Sequence, residues 1–417
     1  MKVVLYWFRN DLRIADNPAF VKANLIADRV LPVFIHQAPD VKSAYGFERV
    51  GVHRQHFLRQ SLDNLQAQLQ ALDSDLWEYE GEPENVLLQL VNAIGAEAVY
   101  CEQIEAPEEI EQCSRIRQQG IALEEFWQSS MIDPDVLPFD LQKMPDIFTQ
   151  FRQAVEREKL RFAQPISAPT SLAPMPVILQ GQYLPQRANS ISQATSIYCR
   201  GGEDAAQAHL KQYLERRLPD TYKQTRNQLI GLDYSSKFSP WLALGCISAR
   251  DIAAQLAEYE ERHGANEGAY WLWFELLWRD YFRFIHFKYG RRLYRSQGLG
   301  EAEVKPFEPA HFRRWSCGET GIGLVDAGMR ELSRSGFLSN RMRQIVASYW
   351  IYELHGDWRA GAAWFESQLI DYDVYSNQGN WLYIAGRGTD PRGGRPFNIA
   401  KQTRDHDPDG KYQELWL

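Results

Sequence analysis

Val3-Val4-Leu5-Tyr6-Trp7-Phe8 is an unbroken apolar run at the start of the chain. A strand with one wet face alternates apolar and polar residues, so an uninterrupted run belongs to a strand covered on both faces. Val30-Leu31-Pro32-Val33-Phe34 is a second such run, and residues 75–79, 98–101 and 121–126 read as further strands. Between strands, Leu58, Leu62, Leu65, Leu69 and Leu72 recur at spacings of four and three, the apolar stripe of a long helix. Buried strands alternating with helices predict an α/β domain over residues 1–130, built on a five-stranded parallel, Rossmann-like sheet. No G-x-G-x-x-G follows the first run, so the usual phosphate-cradling turn is missing there.

Working outward, residues 131–202 read as an inter-domain linker. Their later part, 163–202, is rich in Pro, Ser, Gln and Ala and shows no periodicity, as expected of a segment wrapping the surface. From 203 to 417 the pattern is helical. Ser248 is placed to cap a helix beginning near Ala249, and Gly290, Gly336 and Gly356 read as stops or turns. The prediction is therefore an N-terminal α/β domain followed by an all-α domain.

Composition narrows the function classes. With 44% hydrophobic and 24% charged residues, the chain is ordinary for a globular protein. Its net charge of −8 excludes a globally basic nucleic-acid binder, though not a local basic groove. The five cysteines are scattered without a C-x-x-C, which predicts reduced thiols in a cytoplasmic protein and no metal site. Residues 1–8 lack the layout of a secretion leader, and no apolar stretch is long enough to span a bilayer.

Residues 271–284, WLWFELLWRDYFRF, form the stretch richest in chemistry. A helix apolar nearly all round is buried, and a buried charge must be paired or face a ligand. Glu275 and Arg279 stand four apart with Trp278 between them. They are either an internal ion pair or the wall of a site for a flat heterocycle. Asn340-Arg341-Met342-Arg343, followed by Asp371 and Asp373 through Asn377, again asks for mutual satisfaction. That set is either a structural network or a polar frame around a flavin ring, with Arg343 paired to Asp371. Ser235-Ser236-Lys237-Phe238-Ser239, with Tyr222 upstream, is either a phosphate cradle or a helix cap. The Gly-rich, basic stretch 388–404, with Arg392, Arg395 and Lys401, is either a solvated loop or a strip contacting a phosphate backbone, to which Arg226 and Arg341 add.

Taken together these segments resemble the photolyase/cryptochrome family. The resemblance runs through VLYWFRNDLRIADNPAF (4–20), FSPWLALGCIS (238–248), FELLWRDYFRF (274–284), FLSNRMRQIVASYW (337–350), HGDWRAGAAWFESQLIDYD (355–373) and SNQGNWLYIAG (376–386), and covers essentially the whole chain. KYG (288–290), SNRMRQ, YDVYSN and the ending FNIAKQ…DPDGKY are similar to the DASH branch in particular.

The resemblance implies a folded-back FAD. Tyr222 and Ser235 to Ser239 would hold its phosphates and ribose, Arg279, Asn340, Arg343, Asp371 and Asp373 would frame it, and Asn377 would face the flavin N5. It implies repair of cyclobutane pyrimidine dimers in DNA, with Glu275 hydrogen-bonding the lesion and Trp278 stacking on the flipped bases. Gln344 stands where dimer-repairing DASH members carry Gln. Asn340 and Gln344 replace the two histidines that (6-4) chemistry requires. Tyr383 stands where conventional dimer photolyases have a second Trp, which implies a preference for single-stranded or opened DNA.

Trp381 and Trp358 match the first two members of an electron-transfer chain, but the third position falls on Lys305, leaving Trp350, Tyr352 or Trp315 as substitutes. A folate-type antenna would depend on Glu124 or Glu125, in surroundings unlike those of relatives. Relatives would continue several dozen residues past Leu417, and a monomer is expected. The expected activity is that of a deoxyribodipyrimidine photo-lyase. The competing readings are a blue-light photoreceptor that signals by flavin photoreduction, and a flavoprotein that has lost its function.

Overall fold

The computed structural model describes residues 1–36, 41–177, 199–301, 303 and 306–417. The strands are β1 (Val3–Phe8), β2 (Arg29–His36), β3 (Trp77–Glu80), β4 (Ala98–Glu102) and β5 (Leu123–Phe126). They form one parallel sheet in the order β3-β2-β1-β4-β5. The apolar run that opens the chain is thus the central strand, buried at every position. Its alternate residues enter different cores. Leu5 and Trp7 pack with Leu31, Val33 and Val99, while Val4, Tyr6 and Phe8 join the core that continues into the helical half.

Helices α1 (Pro18–Ile26), α2 (Val52–Gln70), α3 (Pro83–Ile94) and α4 (Pro107–Gln118) alternate with the strands. The leucine stripe lies on α2, which buries Leu62, Leu65 and Leu69. Leu58 is only half-buried, and Leu72 falls beyond the helix end.

The connecting stretch is more than a linker in its first part. Phe148, Phe151 and Val155 share one face of α5 (Phe148–Arg157) and are buried. Beyond α5, Ile166 N–H donates to Asp16 and Ala173 N–H to Asn24, so the chain lies along the α/β half. Residues 178–198 of the stretch lie outside the described residues.

The helical half comprises α6 (Glu203–Glu215), α7 (Tyr222–Thr225), α8 (Ser239–Ala243), α9 (Ala249–His263), α10 (Glu267–Tyr289), α11 (Pro309–Ser316), α12 (Gly323–Ser335), α13 (Asn340–Ser348), α14 (Trp358–Gln368), α15 (Val374–Ala385), α16 (Ile399–His406) and α17 (Lys411–Trp416). Ser248 caps α9 by accepting from Asp251 N, while Gly290 and Gly336 close α10 and α12 with positive φ. Gly356 has a different reason: a Cβ there would lie 2.0 Å from the Trp350 ring.

The motif of residues 9–17 holds the two halves together. Arg250 Nε donates to Asp16 Oδ2 at 2.9 Å, and Glu203 accepts from the amides of Ile14 and Ala15. Asp280, fully buried on α10, accepts from Met131 N and Ile132 N, which satisfies a charge that would otherwise be costly. These contacts fix α10, and α10 builds one wall of the site.

Candidate flavin and lesion site

A cavity of about 450 Å³ opens between α10, α13, α15 and the segment 234–239. Such a volume falls in the range of pre-formed ligand pockets. Glu275, Trp278, Arg279 and Phe282 stand three, four and seven positions apart on α10, so one helix face carries all four into the lining. Tyr222, Ser235 to Ser239, Asn340, Arg343, Gln344, Asp371, Asp373, Asn377, Trp381, Tyr383, Arg226 and Arg395 also line it. Residues scattered over 170 positions of sequence therefore converge on one space.

Arg343 Nη2 donates to Asp371 Oδ2 at 2.7 Å, the pairing expected from sequence. The other oxygen of Asp371, Oδ1, is buried and has no hydrogen-bond partner. A buried carboxylate oxygen left unpaired is costly, so it calls for a donor from a ligand. Asn377 Nδ2 donates to Ala362 O at 3.0 Å, which fixes the amide and leaves its oxygen as an acceptor. Arg279 gives its guanidinium to the carbonyls of Ser129 and Leu242. Burial and the neighbouring Arg283 charge pull Arg279 down to about 10. These donors and acceptors at the cavity wall fit a polar, planar ring system.

The segment 235–239 turns at Lys237, which holds a left-handed φ of 55°. A non-glycine residue there carries strain that often marks a functional site. Its ammonium lies over the rings of Tyr234 and Phe337, at 3.7 and 4.4 Å. Burial pulls it down to about 7, with Glu331 and Asp371 opposing and Arg343 reinforcing that shift. Serines, a nearby cation and a bent backbone suit a diphosphate.

The internal ion pair considered for Glu275 and Arg279 is not formed. Glu275 pairs instead with Arg226, which also lies over the Trp271 ring at 4.5 Å. Arg226 is thereby drawn from the expected phosphate strip to the cavity mouth. Burial raises the Glu275 carboxyl above its ordinary range, and Arg226 opposes that shift. Trp278 has Phe148 stacked on it, with centroids 3.7 Å apart and an interplanar angle of 13°. One indole face is therefore already covered, by a residue from the stretch read as linker. Tyr383 meets Trp278 edge-on at 5.4 Å and carries Arg395 over its own ring at 5.0 Å.

The basic stretch is divided. Arg395 is tied to Asp390 at the cavity rim, whereas Arg392 and Lys401 are exposed outside the lining. Arg341 also lies outside the lining and donates to Gln344 Oε1 and Asn227 Oδ1. Trp381 lines the cavity, but Trp358 does not; its Nε1–H donates to Ser296 O. Glu124 is exposed on the edge strand β5, Glu125 is paired to Arg117, and neither lines the cavity. Lys305 lies outside the described residues.

Sequence reasoning missed Arg283, which donates to Asp373 Oδ2 at 2.5 Å from deep in α10. Burial alone would raise Asp373, but the charges of Arg283 and Arg279 hold it far below the usual carboxylate range. The signal was available: Arg283 is a further charge on the helix already judged buried. Phe148 left no such signal, because its role depends on a contact across 130 residues.

Comparison with known proteins places these observations. Residues 4–171 match the family described as DNA photolyase, and residues 271–417 match the FAD binding domain of DNA photolyase. A cryptochrome DASH of Gloeobacter violaceus is 43% identical, with all of this chain aligned to 85% of that protein. The crystal structure of a cryptochrome from Synechocystis superposes with a TM-score of 0.93 at 40% identity, covering all of this chain and 89% of that one. An archaeal photolyase from Sulfolobus tokodaii, solved with two FAD molecules, has a TM-score of 0.78 at 25% identity, covering all of this chain and 90% of that one. A parallel α/β half, a helical half with a flavin-suited cavity, and these alignments lead to one conclusion: the chain belongs to the photolyase/cryptochrome family, among the DASH cryptochromes, and is an FAD-binding protein.

Proposed function

We propose that this protein is a deoxyribodipyrimidine photo-lyase that repairs cyclobutane pyrimidine dimers in DNA, with a preference for single-stranded or opened strands. The observation that supports it is the shared face of α10, where Glu275 and Trp278 open into the same cavity as Asp371 and Asn377. A carboxyl and an indole beside the flavin frame suit two flipped, linked pyrimidines of one strand more than a solvent-filled rim.

When bound, fully reduced FAD supplies one electron to the lesion on illumination. The protein's part is positional and electrostatic. Asp371, Arg343 and the segment 235–239 would hold the cofactor, and the Asn377 oxygen would be free to accept a hydrogen bond from it. Arg226 releases Glu275 as the lesion enters. Burial favours the protonated form of Glu275, so once Arg226 leaves, the carboxyl takes a proton from solvent, donates to a pyrimidine carbonyl and supports the charge that arrives there. Phe148 backs Trp278, which presents its indole to the bases. Tyr383, smaller than an indole, gives less help in extruding bases from a duplex. Gln344 lines the lesion side, with Asn340 at its rim, while Arg341, Arg392, Arg395 and Lys401 contact the phosphate backbone.

In this reading residues 1–130 form an antenna-type domain and residues 203–417 the catalytic one, in a monomeric cytoplasmic enzyme. Among the described residues no helix is long and apolar enough to cross a membrane. The deciding experiment illuminates the reduced protein with blue light in the presence of dimer-containing single-stranded and duplex oligonucleotides. Light-dependent loss of dimers, faster on the single strand, is expected. No repair on either would leave the photoreceptor reading in its place.

A further inference from the structure

Trp381 forms part of the cavity wall, and its ring begins a chain of aromatic contacts through Trp315 and Trp350. Trp315 meets Trp381 edge-on at 6.4 Å, and Trp350 lies 5.3 Å from Trp315 at an interplanar angle of 30°. Trp315 and Trp350 are fully buried. Trp350 Nε1–H donates to the backbone carbonyl of Asp357 at 2.8 Å. The carboxylate of the same Asp357 accepts at 3.2 Å from the hydroxyl of Tyr45, a half-buried residue of the N-terminal half. One residue thus touches the last indole and a phenol closer to the surface. Phe312 and Phe307 fill the space beside this link, with ring centroids 4.9–5.6 Å apart along the series Trp350, Phe312, Phe307, Tyr45.

We propose that Trp381, Trp315, Trp350 and Tyr45 form an electron-supply route from the protein surface to the flavin, with Asp357 as the proton acceptor at its outer end. Indole and phenol are the oxidisable side chains here, and phenylalanine is not, so the phenylalanines act as packing between stations. One electron leaves the Trp381 indole for the photoexcited oxidised flavin. Trp315 refills Trp381, Trp350 refills Trp315, and Tyr45 refills Trp350. As Tyr45 gives up its electron, its phenolic proton passes to Asp357 Oδ2. A neutral tyrosyl remains, and an external thiol returns the electron while Asp357 returns the proton.

The surroundings suit this step. Arg359 Nη2 donates to Asp357 Oδ2 at 2.7 Å and Nε contacts both oxygens, holding the carboxylate in place. Burial, then the Asp357 charge, push the Tyr45 phenol up to about 12, with Arg359 opposing, so the O–H is intact at rest. Gly356 leaves room for the Trp350 ring, since any Cβ at that position would overlap it. The competing branch runs through Trp358, one turn of α14 before Gly361, whose own missing Cβ makes space for Trp381.

The route rests on flavin binding in this cavity and is independent of lesion repair. The test is transient absorption of the flavin-loaded protein after a blue flash, together with thiol-supported photoreduction under steady light. The wild type should end on a tyrosyl signature. Tyr45→Phe keeps the ring and removes only the hydroxyl; it should end on a tryptophanyl signature with photoreduction slowed severalfold. Trp350→Phe should stop the hole at the inner tryptophans, and Trp358→Phe should leave the tyrosyl signature in place. A wild-type signature and rate in Tyr45→Phe would overturn the route even if Trp350→Phe failed to fold. Loss of the tyrosyl in Trp358→Phe would overturn it in favour of the other branch. A purified protein that takes up no FAD would sink the cavity assignment and the route with it, an outcome distinct from flavin uptake with unaltered signals in the variants.

Discussion

Two ion pairs on α10 make an instructive contrast. At the cavity floor, Arg283 and Asp373 are 3% and 13% exposed, and Asp373 also caps α15 by accepting from Ser376 N. At the mouth, about two helical turns earlier, Glu275 and Arg226 are 31% and 25% exposed. The chemistry of the two pairs is nearly identical, but their freedom is not. A floor carboxylate cannot leave its arginine without stranding a buried charge, so that pair holds α10 against the start of α15. The mouth carboxylate can exchange Arg226 for a ligand at small cost, because water reaches both groups. Burial, rather than residue type, separates a pair fixed in place from one free to exchange its partner.

The largest effect that tests this contrast is Asp373→Ala. It leaves Arg283 buried without its partner and should lower unfolding stability by about 3–5 kcal/mol, measured by urea denaturation. A loss below about 1 kcal/mol would put both pairs in one class. Glu275→Ala should do the reverse. Stability should change by no more than about 1 kcal/mol, while the rate of light-dependent repair falls roughly tenfold to a hundredfold, the worth of a hydrogen bond to a charged group. Glu275→Gln should fall between alanine and the wild type, since an amide still donates; equality with alanine would remove the proton-donor role.

A pH series sharpens the floor. The carboxyl of Asp373 is depressed in the folded state, so its contribution is complete above the unfolded value, near pH 4, and is lost as pH falls through the folded value. The stability gap between wild type and Asp373→Ala should stay level from neutral pH to about 4 and narrow below it. A gap that closed above pH 5 would contradict the pairing. The smallest effect belongs outside the cavity. Lys401→Gln should weaken binding of all single strands alike and reduce the salt slope by about 1, with dimer repair at saturating DNA unaltered.

Much of this was legible in the chain itself. The apolar run 3–8 required a strand covered on both faces, and the leucine stripe required a helix. The family motifs carried the cavity residues as a set, and Arg343 with Asp371 was a pairing the sequence could state. Other features were not legible. Which of Arg226, Arg279 and Arg283 answers Glu275 depends on the angle at which α7 and α15 approach α10, and spacing along one helix left it open. The stacking of Phe148 on Trp278, and the meeting of Tyr45 with Trp350 at Asp357, join segments more than a hundred residues apart.

Periodicity and residue type record what each element needs, because backbone geometry repeats over a few residues and solvent selects which face is apolar. That was enough to determine the two halves, the buried helix at the centre and the identity of the polar residues that would have to be satisfied. Partner choice among those residues, and how far each lies from water, are set by packing between elements distant in the chain. Only the tertiary structure decided them, because the energy of a charge pair depends on its surroundings more than on its own chemistry.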